Sequence, residues 1–166
     1  MKTQKLIVIA AIVCLLVGVS GGAAMAQTCG DGVLENETFD DNLVIRDEGS
    51  CTITGSTIPG NLRLINVRHV ILLNNVVGGN IRVNGKELRN SVANVIANTV
   101  FGGNLVVKNY DSANVIENET LSGNIRVIAN VSALVQKNIS VQDLICRENS
   151  TLSSFLNVAA ITLDCD

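Results

Sequence analysis

Six basic residues recur at similar places in successive segments of a chain that is acidic overall. They are Arg46, Arg63, Arg82, Lys108, Arg126 and Arg147. Each lies in or directly after a short run of alternating apolar residues, which predicts that these side chains share the outward face of a β-sheet. Arginine can bind carboxylate or sulfate groups through two parallel hydrogen bonds. The basic face therefore predicts binding of an anionic polymer, and a solvated face that discourages sheet association is the alternative.

Other residues that could support catalysis or metal binding are few. His69 is the single histidine, which excludes a multi-histidine metal site and leaves at most one base for a catalytic triad. Glycosidases need two carboxyl groups flanking the bond they cleave. The acidic pairs Asp40 with Asp41 and Asp47 with Glu48 are predicted near turns, away from the basic face. We therefore expect no catalytic residue, no metal site and no cofactor.

The basic residues recur because the chain itself repeats. Two rows of residues keep steps of 19 or 20 positions, with one step of 24 in each row. The first row is Asn36, Gly55, Asn74, Asn98, Asn118, Asn138 and Asn157. The second row is Asn42, Asn61, Asn80, Asn104, Asn124, Asp143 and Thr162. Two short apolar runs per unit at this period predict a solenoid of about seven coils, the last one partial.

Four apolar columns are predicted to stack inside the solenoid and to form one continuous core. The first holds Leu43, Leu62, Ile81, Leu105, Ile125, Leu144 and Leu163. The second holds Ile45, Leu64, Val83, Val107, Val127, Cys146 and Cys165. The third holds Phe39, Ile58, Val77, Phe101, Leu121 and Val141, and the fourth holds Leu34, Ile53, Leu72, Ile96 and Ile116.

The asparagines have a predicted structural role. Asparagine tolerates the left-handed backbone of a tight turn, and its amide both donates and accepts hydrogen bonds. Stacked asparagines can therefore bond to one another along the solenoid axis. We predict a ladder formed by Asn36, Asn74, Asn98, Asn118, Asn138 and Asn157.

The cysteines are predicted to close two disulfides, one at each end of the solenoid. Cys146 and Cys165 take the same position in consecutive coils, about 4.8 Å apart, which a disulfide can bridge. Cys29 and Cys51 lie within a few residues of equivalent positions in the first two coils. Pairing at both ends argues against end-to-end polymerisation, so we expect a monomer.

One unit is longer than the others. Its step of 24 places an insertion around residues 84–91, which carries Lys86, Glu87 and Arg89. Insertions in solenoids map to surface loops and are often functional. The insertion is a second candidate for ligand binding, and a tolerated surface loop is the alternative.

In architecture the chain resembles the right-handed parallel β-helix repeat proteins that bacteria export, over residues 27–166. Coils of 19 or 20 residues do not fit the left-handed hexapeptide helix, whose coils are multiples of six, and crossovers between parallel strands are right-handed in nearly all cases. Many such proteins are pectin lyases or polygalacturonases, so a degenerate carbohydrate-active protein is an alternative function. The long loops that build a substrate cleft are missing from this sequence.

The first residues are typical of a signal peptide. Lys2 and Lys5 precede an apolar run over residues 6–19, and an A-x-A site ends at Ala26, which predicts removal of residues 1–26. No stable membrane span is then expected. Removal leaves ten basic and fifteen acidic residues, a formal charge of −5, which argues against nucleic-acid binding.

These observations predict a secreted, periplasmic or cell-surface protein without enzymatic activity. It would be a structural or binding module whose partner is an anionic polysaccharide or a cell-envelope component. Two weaker alternatives are a self-assembling filament and an ice-binding protein. The latter would use a partial outward row of Thr38, Thr57, Thr120 and Ser140.

Overall fold

All regular structure in the described part of the chain is β-strand. The computed structural model describes residues 25–26, 29, 32–46, 49–85 and 89–165. Three parallel sheets, here called A, B and C, are built from strands of successive coils, so that neighbours within a sheet come from adjacent coils. This confirms the predicted all-β parallel solenoid of about seven coils. The predicted signal peptide lies outside the described residues, except for Met25 and Ala26.

The strands are numbered in chain order and form sheets of eight, seven and six members. Sheet A contains β1 (Met25–Ala26), β3 (Leu43–Arg46), β6 (Leu62–Ile65), β9 (Ile81–Asn84), β12 (Leu105–Lys108), β15 (Ile125–Ile128), β18 (Asp143–Arg147) and β21 (Thr162–Asp164). Sheet B contains β2 (Val33–Glu35), β4 (Ser50–Thr54), β7 (His69–Leu73), β10 (Val92–Ile96), β13 (Ser112–Ile116), β16 (Ser132–Gln136) and β19 (Thr151–Phe155). Sheet C contains β5 (Thr57–Ile58), β8 (Val76–Val77), β11 (Thr99–Val100), β14 (Glu119–Thr120), β17 (Ile139–Ser140) and β20 (Val158–Ala159).

The first two predicted columns form the inner side of sheet A. Leu62, Ile81 and Leu105 are paired in register on β6, β9 and β12 and have no exposed surface. Alternation along each strand sends every second side chain inward, which is why short aliphatic residues suffice for a continuous core. Leu163 pairs with Leu144 but is 54% exposed, because no described coil covers it.

The third predicted column leaves the core after the third coil. Ile58 and Val77 are buried, but the predicted core residues Phe101, Leu121 and Val141 are exposed. The buried residues that continue the column are Val100, Thr120 and Ser140. The prediction placed the inward position one residue too late, and a shift of one residue exchanges the two faces of a strand.

The same shift affects the fourth column. Leu34, Ile53 and Leu72 are buried as predicted. In the later coils the buried residues are Val95 and Val115, whereas the predicted Ile96 and Ile116 point outward from sheet B and are half-buried.

The predicted outward threonine row is also wrong. Thr38 and Thr57 are exposed and paired across adjacent coils, but Thr120 and Ser140 point into the core. Both buried hydroxyl groups donate to the Gly123 carbonyl oxygen, at 2.8 and 2.9 Å. A buried hydroxyl is tolerated when it has such a partner, and the row offers no continuous threonine surface.

A buried asparagine ladder runs along the corner between sheets B and C, and it begins differently from the prediction. In the described residues its members are Ser56, Asn75, Asn98, Asn118, Asn138 and Asn157. In a typical rung, the backbone N–H and the side-chain amide of Asn98 both donate to Asn118 Oδ1 at 3.0 Å. The predicted members Asn36 and Asn74 are exposed and do not belong to it.

The first sequence row mixes two structural positions, which explains this error. The residue before each ladder position, and Asn36 at the same place in the first coil, have a left-handed backbone, with φ between 52° and 60°. These residues are Asn36, Gly55, Asn74, Ala97, Glu117, Lys137 and Leu156. Asparagine and glycine adopt this conformation most easily. The first row therefore marks the turn in the early coils and the ladder in the later ones, one residue further on.

The insertion interrupts the corner between sheets A and B. Five residues lie between Gly85 and Ser91, whereas only Tyr110 lies between Asn109 and Asp111 at the same corner of the next coil. Ser91 and Asp111 fasten the end of the insertion reciprocally, because each backbone N–H donates to the other's side-chain oxygen, at 2.9 and 3.0 Å.

Tyr110 fills the interior space next to the insertion. It is 1% exposed, and its hydroxyl donates to the Val67 carbonyl oxygen at 2.9 Å, in the coil before the inserted one. Its ring lies beside Gly85, where an added Cβ would come within 3.1 Å of ring carbons. Burial raises the pKa of the Tyr110 phenol, so the hydroxyl stays protonated as a donor.

The structure forms both disulfides in the predicted pairing. The Cα atoms of Cys29 and Cys51 are 5.6 Å apart, and those of Cys146 and Cys165 are 4.6 Å apart. Cys146 and Cys165 continue the second inward column of sheet A. Each disulfide therefore links neighbouring coils from within the core.

Candidate anion-binding face

The six predicted basic residues lie on the outward side of sheet A, in two columns. One column runs through Val44, Arg63, Arg82, Val106, Arg126, Ile145 and Asp164. The other runs through Arg46, Ile65, Asn84, Lys108, Ile128 and Arg147. Aliphatic side chains separate most of the charges, so the strongest concentration is where two arginines are direct neighbours.

Arg63 and Arg82 are these neighbours. They are paired in register on β6 and β9, one strand spacing of about 4.8 Å apart, and both are exposed. Among the described residues no carboxylate forms an ion pair with either of them. An open depression of about 430 Å³ lies at this point, lined by Asn61, Arg63, Asn80, Ile81, Arg82, Asn104 and Val106.

The asparagines of this depression belong to a second, outer ladder. Asn80 Nδ2 donates to Asn61 Oδ1 at 2.8 Å, and Asn104 Nδ2 donates to Asn80 Oδ1 at 3.2 Å. In the buried ladder, Asn118 Nδ2 makes a further bond to the Val95 carbonyl oxygen. Within the described structure, the outer amides have no such acceptor for their second hydrogen. The depression therefore presents two guanidinium groups and free amide N–H donors to solvent.

This combination of donors is chemically suited to an anion. Guanidinium and amide groups only donate here, because the amide oxygens of Asn61 and Asn80 already accept from the next coil. A carboxylate or sulfate supplies acceptor oxygens for several such donors at once. The aliphatic Val106 beside them adds an apolar surface to the depression.

The remaining basic residues contribute less to this site. The Arg147 guanidinium is ion-paired with the Asp164 carboxylate in the next coil, so its charge is already compensated. Arg126 is exposed but has Val106 and Ile145 on its two sides. Lys108 is half-buried and Arg46 is exposed, both in the other column.

The predicted insertion loop is described only in part. Arg89 is exposed in a turn, and Lys86 and Glu87 lie outside the described residues. The insertion follows β9, the strand that carries Arg82.

Several acidic residues lie on another side of the solenoid. Glu37 and Glu117 are exposed at the corner between sheets B and C, and Glu119 faces outward on β14. Glu117 forms an ion pair with Lys137 at 3.1 Å, with both side chains about half exposed. Such an exposed pair contributes little to stability. None of these carboxylates lies on sheet A, and within the described structure none of them forms an ion pair with Arg63 or Arg82.

His69 and the cysteines do not build a metal centre. His69 is exposed, and its Nδ1 lies 3.3 Å from the Ser50 hydroxyl oxygen. In the described ranges, no group of three or more His, Cys, Asp or Glu residues is placed to hold a metal ion. The described residues include no helix with the length and apolar character that crossing a membrane requires.

These features define a class of protein: a disulfide-linked parallel β-solenoid with asparagine ladders. No protein-family model, curated protein or solved structure matches the chain. The assignment of the chain to this class of β-solenoid therefore rests on the fold alone.

The donor role of Asn61, Asn80 and Asn104 was not predicted from the sequence, because the predicted ladder used the first row alone. In the structure the second row also forms a ladder, from Asn42 to Asn124. Its regular step next to the arginines was the available signal.

Proposed function

We propose that the protein is an exported, non-enzymatic β-solenoid that binds an anionic glycan or a cell-envelope component through the outward face of sheet A. The observation that carries the proposal is the pair of neighbouring exposed arginines, Arg63 and Arg82, beside free asparagine amide donors. Two disulfides are compatible with an extracellular or periplasmic location. Bacterial origin and right-handed winding remain parts of the proposal that rest on the resemblance.

The spacing of the face favours a polymer over a small ion. Arg63 and Arg82 occupy adjacent coils and Arg126 lies two coils further along the same column. Acidic groups repeated along a glycan chain can meet these positions in turn. Binding of several weak sites on one chain is stronger than binding of any single site.

The test compares retention of the protein on heparin and on pectate columns at low salt. We expect the parent protein to be retained and to elute as salt rises, because salt screens exposed charges. The variant with Arg63→Ser and Arg82→Ser should elute at clearly lower salt, with an affinity loss of about tenfold or more per arginine, or ~1.4 kcal/mol each.

The control removes the same charge elsewhere. Arg68 lies just before β7 of sheet B and Lys137 lies at the corner between sheets B and C, so Arg68→Ser with Lys137→Ser leaves the face intact. Equal losses of column affinity in the two double variants would show that net charge controls retention, and would contradict specific binding by the outward face of sheet A. Release of products from uronic-acid polymers by the parent protein would contradict the non-enzymatic part of the proposal.

A further inference from the structure

Five segments of the chain match the pattern Asn-x-Ser or Asn-x-Thr that N-linked glycosylation requires, here called sequons. Their asparagines are Asn36, Asn118, Asn130, Asn138 and Asn149. The pattern alone does not show which of them could carry a sugar, because the coils are rich in asparagine, serine and threonine. The sugar is bulky and attaches to the side-chain Nδ2 atom, so an acceptor asparagine needs this atom free at the surface.

Three of these asparagines are buried in the ladders. Asn118, Asn130 and Asn138 are 1%, 2% and 0% exposed. Asn118 Nδ2 donates to the Val95 carbonyl oxygen, and Asn138 Nδ2 donates to the Val115 carbonyl oxygen, both at 2.8 Å. A sugar on either nitrogen would break these bonds and push the neighbouring coils apart. These sequons are therefore incompatible with glycosylation of the folded solenoid.

The sequon of Asn149 is also part of a ladder. This residue is half-buried, and its Nδ2 donates to the Val127 carbonyl oxygen at 2.9 Å. Its Oδ1 accepts from the backbone N–H and from the side-chain amide of Asn130, at 3.1 and 3.0 Å. An amide that is bonded to neighbouring residues through both its nitrogen and its oxygen is not available for modification.

Asn36 differs because it lies at the turn position and not at a ladder position. It has a left-handed backbone, with φ at 54°, and its side chain is exposed. Its amide lies over Gly55 in the next coil, where an added Cβ would collide with Asn36 Oδ1. Within the described residues, no acceptor receives a hydrogen bond from Asn36 Nδ2. The nitrogen that would carry the sugar is therefore free.

The rest of this sequon is equally open. Glu37 and Thr38 are both exposed, and Thr38 pairs with Thr57 of the next coil. In the sequons of two later coils, the hydroxyl residues Thr120 and Ser140 point into the core. N-linked glycosylation needs both the asparagine and the hydroxyl residue of the pattern. In the described part of the chain, only the sequon at residues 36–38 exposes both.

We propose that Asn36 carries an N-linked glycan and that the other four sequons stay unmodified. In the transfer, Asn36 Nδ2 forms a bond to the anomeric carbon of a sugar that is carried on a lipid diphosphate. The bond between that carbon and the diphosphate oxygen breaks, and the amide loses one proton to the leaving diphosphate. The proposal rests on export through a compartment that supplies the transferase and the lipid-linked sugar. It does not depend on anion binding, because the corner that carries Asn36 is not part of sheet A.

The first test measures the intact mass of the protein secreted by the organism that produces it. We expect the mass of one added glycan. A glycosidase that converts the glycosylated asparagine to aspartate should leave this mark at position 36 alone, as read by peptide mass spectrometry. An exported protein of unmodified mass, or a glycan on a ladder asparagine, overturns the proposal and leaves anion binding untouched. Retention in the cytosol overturns it together with the proposed export.

The second test uses two matched variants expressed in cells that carry out N-linked glycosylation. Thr38→Val and Thr151→Val each replace an exposed threonine and remove one sequon, that of Asn36 or that of Asn149. Thr38→Val should lose the whole glycan mass, and Thr151→Val should keep it, while thermal unfolding shows that both variants fold. A glycan that persists in Thr38→Val, or one that disappears in Thr151→Val, overturns the assignment to Asn36.

Discussion

Asn118 shows how single side chains hold this fold together. It is 1% exposed, and its Oδ1 accepts two hydrogen bonds from Asn98, from the backbone N–H and from the side-chain amide. Its own Nδ2 donates to the Val95 carbonyl oxygen at 2.8 Å and to Asn138 Oδ1 at 3.1 Å. One buried amide thus connects three successive coils.

Replacing this amide should destabilise the protein strongly. Asn118→Ala leaves the buried Asn98 backbone N–H without its acceptor and removes the bonds from Asn118 to the Val95 carbonyl oxygen and to Asn138 Oδ1, and a buried group left unpaired costs about 1–3 kcal/mol. We expect a loss of roughly 3 kcal/mol or more in the free energy of unfolding, measured by urea denaturation. The control is Asn114→Ala on the outer side of sheet B, where the half-buried amide makes one side-chain bond to Asn94. A similar loss in both variants would show that burial of the ladder is not what matters.

The ladder also shows what a sequence reveals about single residues. The sequence identified four ladder members, Asn98, Asn118, Asn138 and Asn157. A buried side chain at this position must accept hydrogen bonds from one coil and donate hydrogen bonds to the next, and few residue types other than asparagine can do both. Asn74 was mistaken for a member because the neighbouring turn position also favours asparagine, for reasons of backbone conformation. Sequence spacing alone does not separate two asparagine-favouring positions that are adjacent.

At the level of elements, the insertion and Tyr110 depend on each other. The insertion replaces the single corner residue of its coil, and the Tyr110 ring reaches past Gly85 to the Val67 carbonyl oxygen. In the two following coils the Tyr110 position is Asn130 and Asn149, which form a short ladder with bonds of 3.0 and 3.1 Å. The ladder at this corner therefore begins after Tyr110, whose backbone N–H donates to Asn130 Oδ1 at 3.0 Å.

This dependence predicts non-additive mutations. Replacing residues 86–90 by one asparagine should crowd the Tyr110 ring and cost about 1–3 kcal/mol. Tyr110→Asn alone empties the space that the ring fills and should cost about 3–5 kcal/mol. Together the changes restore an asparagine at both corners, so the combined loss should be smaller than the sum by about 2 kcal/mol. Strict additivity in urea denaturation would mean that the insertion and the ring are independent.

On the scale of the whole molecule, the fold followed from the sequence because a solenoid repeats one set of local contacts. The period, the inner columns of sheet A and the disulfide positions were all visible in the regular steps. The regular steps did not show that the basic residues form two columns. They also did not show which of the two residues of β11, β14 and β17 points into the core. The step from the buried ladder to the outer ladder changes from 5 to 6 positions in two coils, as from Asn98 to Asn104, and only the structure locates that change.

The same one-dimensional construction predicts that loss of a disulfide acts locally. Each coil contacts mainly its neighbours, so the ends open without unfolding the middle. Cys146→Ser with Cys165→Ser removes a link across 19 residues and should destabilise the last coil by about 3 kcal/mol. Amide hydrogen exchange should accelerate in β19, β20 and β21 and remain slow in β9 and β12. The matched variant, Cys29→Ser with Cys51→Ser, should accelerate exchange in β2 and β4 instead. Uniform acceleration along the chain in either variant would show that the solenoid unfolds as one cooperative unit, and the disulfides would then stabilise the whole fold.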